Sequence, residues 1–202
     1  MGSTRSIPQS DEELWAKLKE GQKGSLRTLF LRYYDSLFSY GLSVCSKEEL
    51  VEDCLQELFY QLWESRATLS EVQNVKGYLW ISFRRRLMGE IKKRNDINYR
   101  SVSFKSDMKK VVSVEGLFID NEQQAKLHQK LQEICEDLTQ REREVLFLKY
   151  YEGMSYSEIE QILGLEYQTV RNYMYRAIER LRKIFEKEGI KIALGLLFLI
   201  II

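Results

Sequence analysis

Apolar residues recur at steps of three and four along nearly the whole chain, a spacing that places them on one face of helix after helix. Leu14, Trp15 and Leu18 follow Ser10 and Asp11, which can cap a helix ending near Gly21. Ser25 is read as the next cap. Behind it Leu26, Leu29, Phe30, Tyr33, Tyr34, Leu37 and Phe38 continue the stripe. The spacing predicts a third helix over 47–65 and a fourth over 75–94. The only proline among 202 residues is Pro8, so nothing breaks these runs. The pattern fails over 95–124, where "SVSFKSDMKKVVSVEG" is polar and without period. That stretch exceeds an ordinary loop inside a compact domain. Helical spacing resumes at about Ala125 and runs to Lys187. The expected fold class is all-α, with two small helical domains joined by a flexible linker. The expected divisions are 1–97, a linker 98–124, a second domain 125–187, and an apolar tail 188–202.

Charge is distributed unevenly, although the net is only +1. Between Lys76 and Arg100 eight basic residues face two acidic ones, and between Ser46 and Glu64 six acidic residues face Lys47 alone. Such blocks predict two surfaces of opposite sign with different partners. Cys45, Cys54 and Cys135 are scattered and odd in number, which fits buried thiols in a reducing compartment. His128, the only histidine, is read as a surface residue. Met1–Asp11 lacks the apolar core of a signal peptide, and the expected location is cytoplasmic. No phosphate-binding loop, dinucleotide fingerprint, nucleophile elbow or zinc-protease motif occurs. The chain is therefore expected not to be an enzyme, with no catalytic residue, metal or cofactor.

The second half carries a more specific signature. In "LTQREREVLFLKYYEG" Thr139 and Glu142 form a capping box, Val145, Leu146 and Leu148 supply the apolar run, and Gly153 ends the helix. Ser155 and Glu158 repeat the box. Ile159, Ile162 and Leu163 make a short buried face, Gly164 can take the left-handed conformation that stops a helix, and Leu165 fills the corner. In the next helix Val170, Met174, Ala177 and Leu181 form one stripe. Gln168, Arg171, Asn172, Tyr175 and Arg176 lie opposite, with Arg180, Arg182 and Lys183 further on. Arg can bond guanine twice and Gln or Asn adenine twice, so this face suits direct reading of bases in a major groove. A helical hairpin with a solvated polar face has the same pattern; paired caps, a glycine turn and donors at a helix start favour DNA.

The segment from Leu138 to Lys183 resembles the C-terminal DNA-binding domain of the sigma-70 family of bacterial transcription initiation factors. In the first half "VEDCLQELFYQLW" is similar to the motif with which that family grips core RNA polymerase. Asp53, Gln56 and Glu57 fall on its D-x-x-Q-E positions, and Phe59 and Trp63 on its aromatic ones. Independently of the resemblance, Leu55, Leu58, Phe59, Leu62 and Trp63 form a buried stripe, leaving Asp53, Glu57, Tyr60, Gln61 and Glu64 outward. With two recognisable domains and a short linker, the chain resembles the extracytoplasmic-function (ECF) group over about residues 10–187.

The resemblance implies a set of partners and contacts. Core polymerase would be held by Asp53, Gln56, Glu57 and Tyr60. The −10 promoter element would be read and melted by Asn74, Lys76, Tyr78, Trp80, Arg84, Arg85 and Lys92, and the −35 element by Tyr167, Gln168, Thr169, Arg171, Asn172 and Arg176. An unstacked base would enter a pocket built by the loop 69–76, its cost repaid by binding. Arg85, Gly89 and Glu166 depart from the family's usual Asn, Asp and Ser or Thr. An anti-sigma protein is an expected partner. The alternative is a stand-alone helix-turn-helix regulator that binds DNA without polymerase. The tail "GIKIALGLLFLIII" lies beyond the resemblance. As a helix, residues 190–202 would be roughly 20 Å long, short of the roughly 30 Å hydrocarbon core. It is expected to pack on protein, to touch the inner membrane peripherally, or to be the stub of something longer.

Overall fold

The computed structural model describes residues 9–45, 47–94 and 138–187, with side chains described through Lys183. Helix α1 is Asp11–Lys19, α2 Lys23–Val44, α3 Glu48–Glu64 and α4 Val75–Lys93, with a 3-10 turn over Arg66–Thr68. In the second half α5 is Gln140–Leu146, extended by a π-type turn over Phe147–Tyr151, α6 is Tyr156–Leu163 and α7 Tyr167–Lys187. No strand occurs among the described residues. The expected linker, His128, Cys135 and the apolar tail lie outside them.

Local sequence explains most helix ends. Ser10 accepts the Glu13 amide at 3.2 Å, while the Ser10 amide donates to Glu13 Oε2 at 3.3 Å. Ser25 does not cap α2, contrary to the expectation. Gly21 takes φ +83°, and the Gln22 amide donates to the Lys17 carbonyl at 3.0 Å. This tight return starts α2 at Lys23. Ser25 then lies inside the first turn, buried, with its hydroxyl donating backward to the Gln22 carbonyl at 2.6 Å. Asn74 caps α4 by accepting the Gly77 amide at 2.8 Å.

The core follows the stripes. Leu14, Trp15, Leu18, Leu29 and Leu37 of α1 and α2 are sealed from solvent with Leu50, Leu55, Leu79, Phe83 and Leu87 of α3 and α4. At about 1.5–3 kcal/mol for each large apolar side chain fully buried, this set supplies the main drive to fold. Cys45 and Cys54 are buried too, and burial, the largest cause, pushes the Cys54 thiol up to about 11, so it stays neutral. In the second half Val145, Leu148, Ile159, Val170, Met174 and Ala177 are buried.

The two halves are not separate in space. Helix α4 packs on α6, and α2 on α5, so buried residues of both halves form one continuous cluster. The Tyr40 ring lies 5.1 Å from Trp80 and 6.0 Å from Phe147, centroid to centroid. The Lys76 ammonium donates to the Glu152 carbonyl at 3.2 Å.

Candidate nucleic-acid and polymerase interfaces

The acidic face of α3 is in place, but it is not an isolated negative surface. Asp53, Gln56 and Tyr60 are exposed and Glu57 is half-buried; Tyr60 keeps 59% of its surface in water. Arg94 sits 3.9 Å from Asp53, and Arg86 3.8 Å from Glu57. The two charge blocks, expected to face different partners, therefore partly face each other. The physical reason is that α3 and α4 are neighbours in the bundle, which sequence blocks do not reveal. A cleft of about 480 Å³ runs between them, lined by Asp53, Gln56, Glu57 and Tyr60 on one side and Arg86 and Arg94 on the other.

The expected −10 residues divide between two faces of α4. Arg85 and Lys92 are exposed. Arg85 joins Tyr78, Ser82, Arg86 and Lys93 around a second cleft of about 280 Å³ against the end of α3. Tyr78 meets Trp15 edge to face at 5.1 Å. Asn74 is exposed, with its side-chain oxygen committed to the helix cap. Lys76, Trp80 and Arg84 lie on the other face, under the second half of the chain. Trp80 is fully buried. Arg84 Nε sits 3.3 Å from the Glu144 carboxylate. The loop over 69–76 is tied to α1: Trp15 Nε1 donates to the Ser70 carbonyl at 3.1 Å, and Lys19 pairs with Glu71. Neither cleft draws on this loop.

The helix-turn-helix forms as its sequence requires. Thr139 and Glu142 close one capping box, and Ser155 and Glu158 another. The Glu158 carboxyl is held below the usual carboxylate range, chiefly by the Ser155 backbone N–H. Gly164 takes φ +62° and ends α6, and Leu165 packs partly buried at the corner. Helix α7 then presents Tyr167, Gln168, Arg171, Asn172, Tyr175 and Arg176 to solvent, with Thr169 half-buried. Gln168 donates to Asn172 at 3.2 Å, which pre-orients both amides. Further along, Arg180 sits 3.5 Å from buried Glu142, and Arg182 3.1 Å from Glu179. Those two cations, expected on the DNA side, are thus engaged within the protein.

Sequence reasoning missed the group at the junction. Glu144 is buried to 1%, accepts from the Tyr40 hydroxyl at 2.8 Å and meets Arg141 at 2.8 Å besides Arg84. Burial first, and the Glu144 charge next, push the Tyr40 hydroxyl well above its ordinary range, so it remains a donor. The available signal was a carboxylate beside Val145 on the apolar side of α5.

The family model described as Sigma-70 region 2 matches residues 29–96, and that described as Sigma-70, region 4 matches residues 128–181. Together they span more than half of the chain. It is 24% identical over 190 residues to the RNA polymerase sigma-H factor of Pseudomonas aeruginosa, covering 87% of this chain and 93% of that protein. Against the ECF RNA polymerase sigma factor SigK of Mycobacterium ulcerans it is 24% identical over 186 residues, covering 87% and 95%. Among solved structures it is similar to CnrH in complex with the cytosolic domain of CnrY, with TM-score 0.62 and 19% identity over 89% of this chain and 99% of that one. It is also similar to the sigma factor RpoE in complex with the anti-sigma factor NepR from Bartonella quintana, with TM-score 0.54 and 20% identity over 79% and 96%.

Proposed function

Because the chain belongs to the sigma-70 family, in its ECF group, and so is an RNA polymerase sigma factor, we propose a division of its work among named residues. The span 1–97 acts as region 2 and 125–187 as region 4. Asp53, Gln56, Glu57 and Tyr60 dock on core polymerase, where an acidic, aromatic-edged face gives orientation and on-rate against a basic partner. Arg85, Lys92, Tyr78, Lys76, Trp80 and Arg84 engage the −10 element, with cations on phosphates and aromatic surface for an unstacked base; Asn74 fixes the start of their helix. Tyr167, Gln168, Thr169, Arg171, Asn172 and Arg176 contact the −35 element in the major groove. The work requires binding energy alone, with no catalytic group or cofactor.

The observation that carries this reading is the exposed row Gln168, Arg171, Asn172 and Arg176, delivered at a helix start by the left-handed Gly164. An anti-sigma protein is the proposed controlling partner, in keeping with the complex of RpoE with the anti-sigma factor NepR. The proposed location is the cytoplasm, and the apolar tail over 188–202 is proposed to pack on protein or to contact the inner membrane peripherally. No helix among the described residues is long and apolar enough to cross a membrane.

Run-off transcription on fragmented genomic DNA with purified core polymerase tests the reading. The expected result is discrete transcripts that depend on the chain, and that fade when Asp53→Ala and Glu57→Ala are combined. Their ion pairs with Arg94 and Arg86 are partly exposed, worth about 0–1 kcal/mol each, so the fold should survive the change. Transcripts unaffected by the double change would remove the docking assignment.

A further inference from the structure

The outer side of α2 carries apolar surface that is only half-buried. The Phe30 and Tyr34 rings lie 5.0 Å apart, centroid to centroid, and Tyr34 stacks on Phe38 at 5.6 Å with 9° between the planes. Phe30 also meets Phe59 of α3 edge to face at 5.1 Å. The three α2 rings are half-buried, as is Leu42 one turn further on. Leu31 beside them keeps 64% of its surface in water. Positions 30, 34, 38 and 42 follow one another up the same side of the helix, so they make a continuous strip about 18 Å long. Contiguous apolar surface of this kind marks a contact site.

The strip has unlike ends. Beyond Phe30, the Lys23 ammonium sits 5.9 Å and the Arg66 guanidinium 4.2 Å from the Trp63 ring centre, and Arg27 is exposed nearby on α2. Around Tyr34 the charge reverses. Burial first, and then the charges of Glu52, Asp35 and Glu48, raise the Tyr34 hydroxyl above its ordinary range, as three neighbouring carboxylates must. A segment that fits this strip is apolar along its length and basic at the end that meets those carboxylates. The apolar tail has that composition. Lys187 and Lys191 precede residues 192–202, whose side chains carry neither charge nor hydroxyl. As a helix, 192–202 would be about 16 Å long, close to the length of the strip. The contacts that lead from α7 agree. Arg180 sits 3.5 Å from Glu142 of α5, and Glu144 of α5 accepts from Tyr40, at the level of Phe38 on α2. They arrive nearer the acidic end of the strip than Lys23 and Trp63.

We propose that the apolar tail docks on this strip of its own chain, with residues 192–202 over Phe30, Leu31, Tyr34, Phe38 and Leu42, and with Lys187 and Lys191 toward Asp35, Glu48 and Glu52. Removing both apolar surfaces from water drives the contact, and charge sets its direction. The reverse direction would bring Lys191 against Lys23, Arg27 and Arg66. The docking rests on the reading of the tail as a segment that packs on protein, and is independent of the DNA and polymerase assignments.

Photo-crosslinking of the whole chain tests the docking. The chain carries Phe198→p-benzoylphenylalanine and is illuminated with vesicles of phosphatidylglycerol and phosphatidylethanolamine present. An equal mixture of isotopically light and heavy protein separates links within a chain from links between copies, and mass spectrometry maps them. The expected result is a link within one chain to α2, over residues 30–42. A link to lipid, or one between copies, overturns packing of the tail on its own chain. A link elsewhere in the same chain keeps the tail on protein and overturns this surface. The direction is tested by charge. Asp35→Lys combined with Glu52→Lys is expected to lower the yield of the α2 link at least about threefold, and Lys187→Glu with Lys191→Glu in that background to restore it. Should the α2 and α3 changes lose helix content by circular dichroism, Lys187→Glu with Lys191→Glu alone carries the test, with the same fall expected. A yield that ignores these charges overturns the pairing of the tail's lysines with the acidic end.

Discussion

Gly41 of α2 lies against Val51 of α3 and Phe83 of α4. A Cβ there would run into a Val51 methyl and lie 3.1 Å from Phe83 Cζ, and both neighbours are fully buried. Helix propensity alone favours alanine over glycine by about 1 kcal/mol. Overpacking a sealed core costs about 1–3 kcal/mol, so the clash outweighs the propensity. Gly41→Ala is therefore expected to lower stability by about 1 kcal/mol net, read as a lower midpoint in urea at unchanged slope. An unchanged or higher midpoint would show that Val51 can move. On α7 the relevant quantity is specificity. Arg171→Ala is expected to cost about 1–3 kcal/mol of upstream-element binding and to relax base preference if it reads a base edge. Arg176→Ala should weaken all sequences alike if it holds a phosphate. Wild-type footprints for both would end the −35 assignment of this row.

At the scale of the element, the two capping boxes are what let short helices stand. Helix α6 has eight residues, too few to persist on propensity. The Ser155 hydroxyl and the Glu158 carboxylate each occupy a free N–H at its start. Ser155→Ala is expected to cost about 0.5–2 kcal/mol, measured by thermal melting. The acid response has a definite sign. The folded-state pKa of Glu158 is lowered, so its contribution is present above the unfolded value near 4.3 and is lost as pH falls through the folded one. Glu158→Gln should flatten the loss of stability below about pH 4; an identical acid limb in the variant would contradict the cap's role. These elements were legible in the sequence because their cause is local. The boxes at Thr139 and Ser155, the stop at Gly164 and the stripes Leu79–Phe83–Leu87 and Val170–Met174 depend on neighbours within a turn or two. Ser25 misled for a reason just as local, since Gly21 turned the chain one step earlier. The exposed row Gln168, Arg171, Asn172 and Arg176, proposed for the −35 element, was legible as a face too, being opposite a stripe. The split of the residues proposed for the −10 element was not, because Arg84 is drawn to Glu144, 60 residues away, which also binds Tyr40, 104 residues from it.

For the whole molecule, the shared core sets how the chain unfolds. Buried residues run without a break from α2 and α4 into α5 and α6, through Tyr40, Trp80 and Phe147. Two domains joined only by a linker would melt independently, whereas halves coupled through a buried ion pair and aromatic packing melt together while the coupling exceeds their difference in stability. Removing one partner of a buried pair costs about 3–5 kcal/mol because the other charge is left unpaired. That loss falls on the junction, since Arg84 belongs to one half and Glu144 to the other. The wild-type chain is therefore expected to give one calorimetric transition, with van't Hoff and calorimetric enthalpies in agreement. Glu144→Gln should resolve it into two, the lower from the shorter helices of region 4. Salt offers a milder version of the same experiment. The Glu144–Arg84 pair is buried and poorly screened, so the single transition should persist at 0.5 M salt, where the exposed Arg94–Asp53 pair contributes little. Two transitions already present in the wild type would mean that the halves fold independently, and that the Glu144 junction does not couple them.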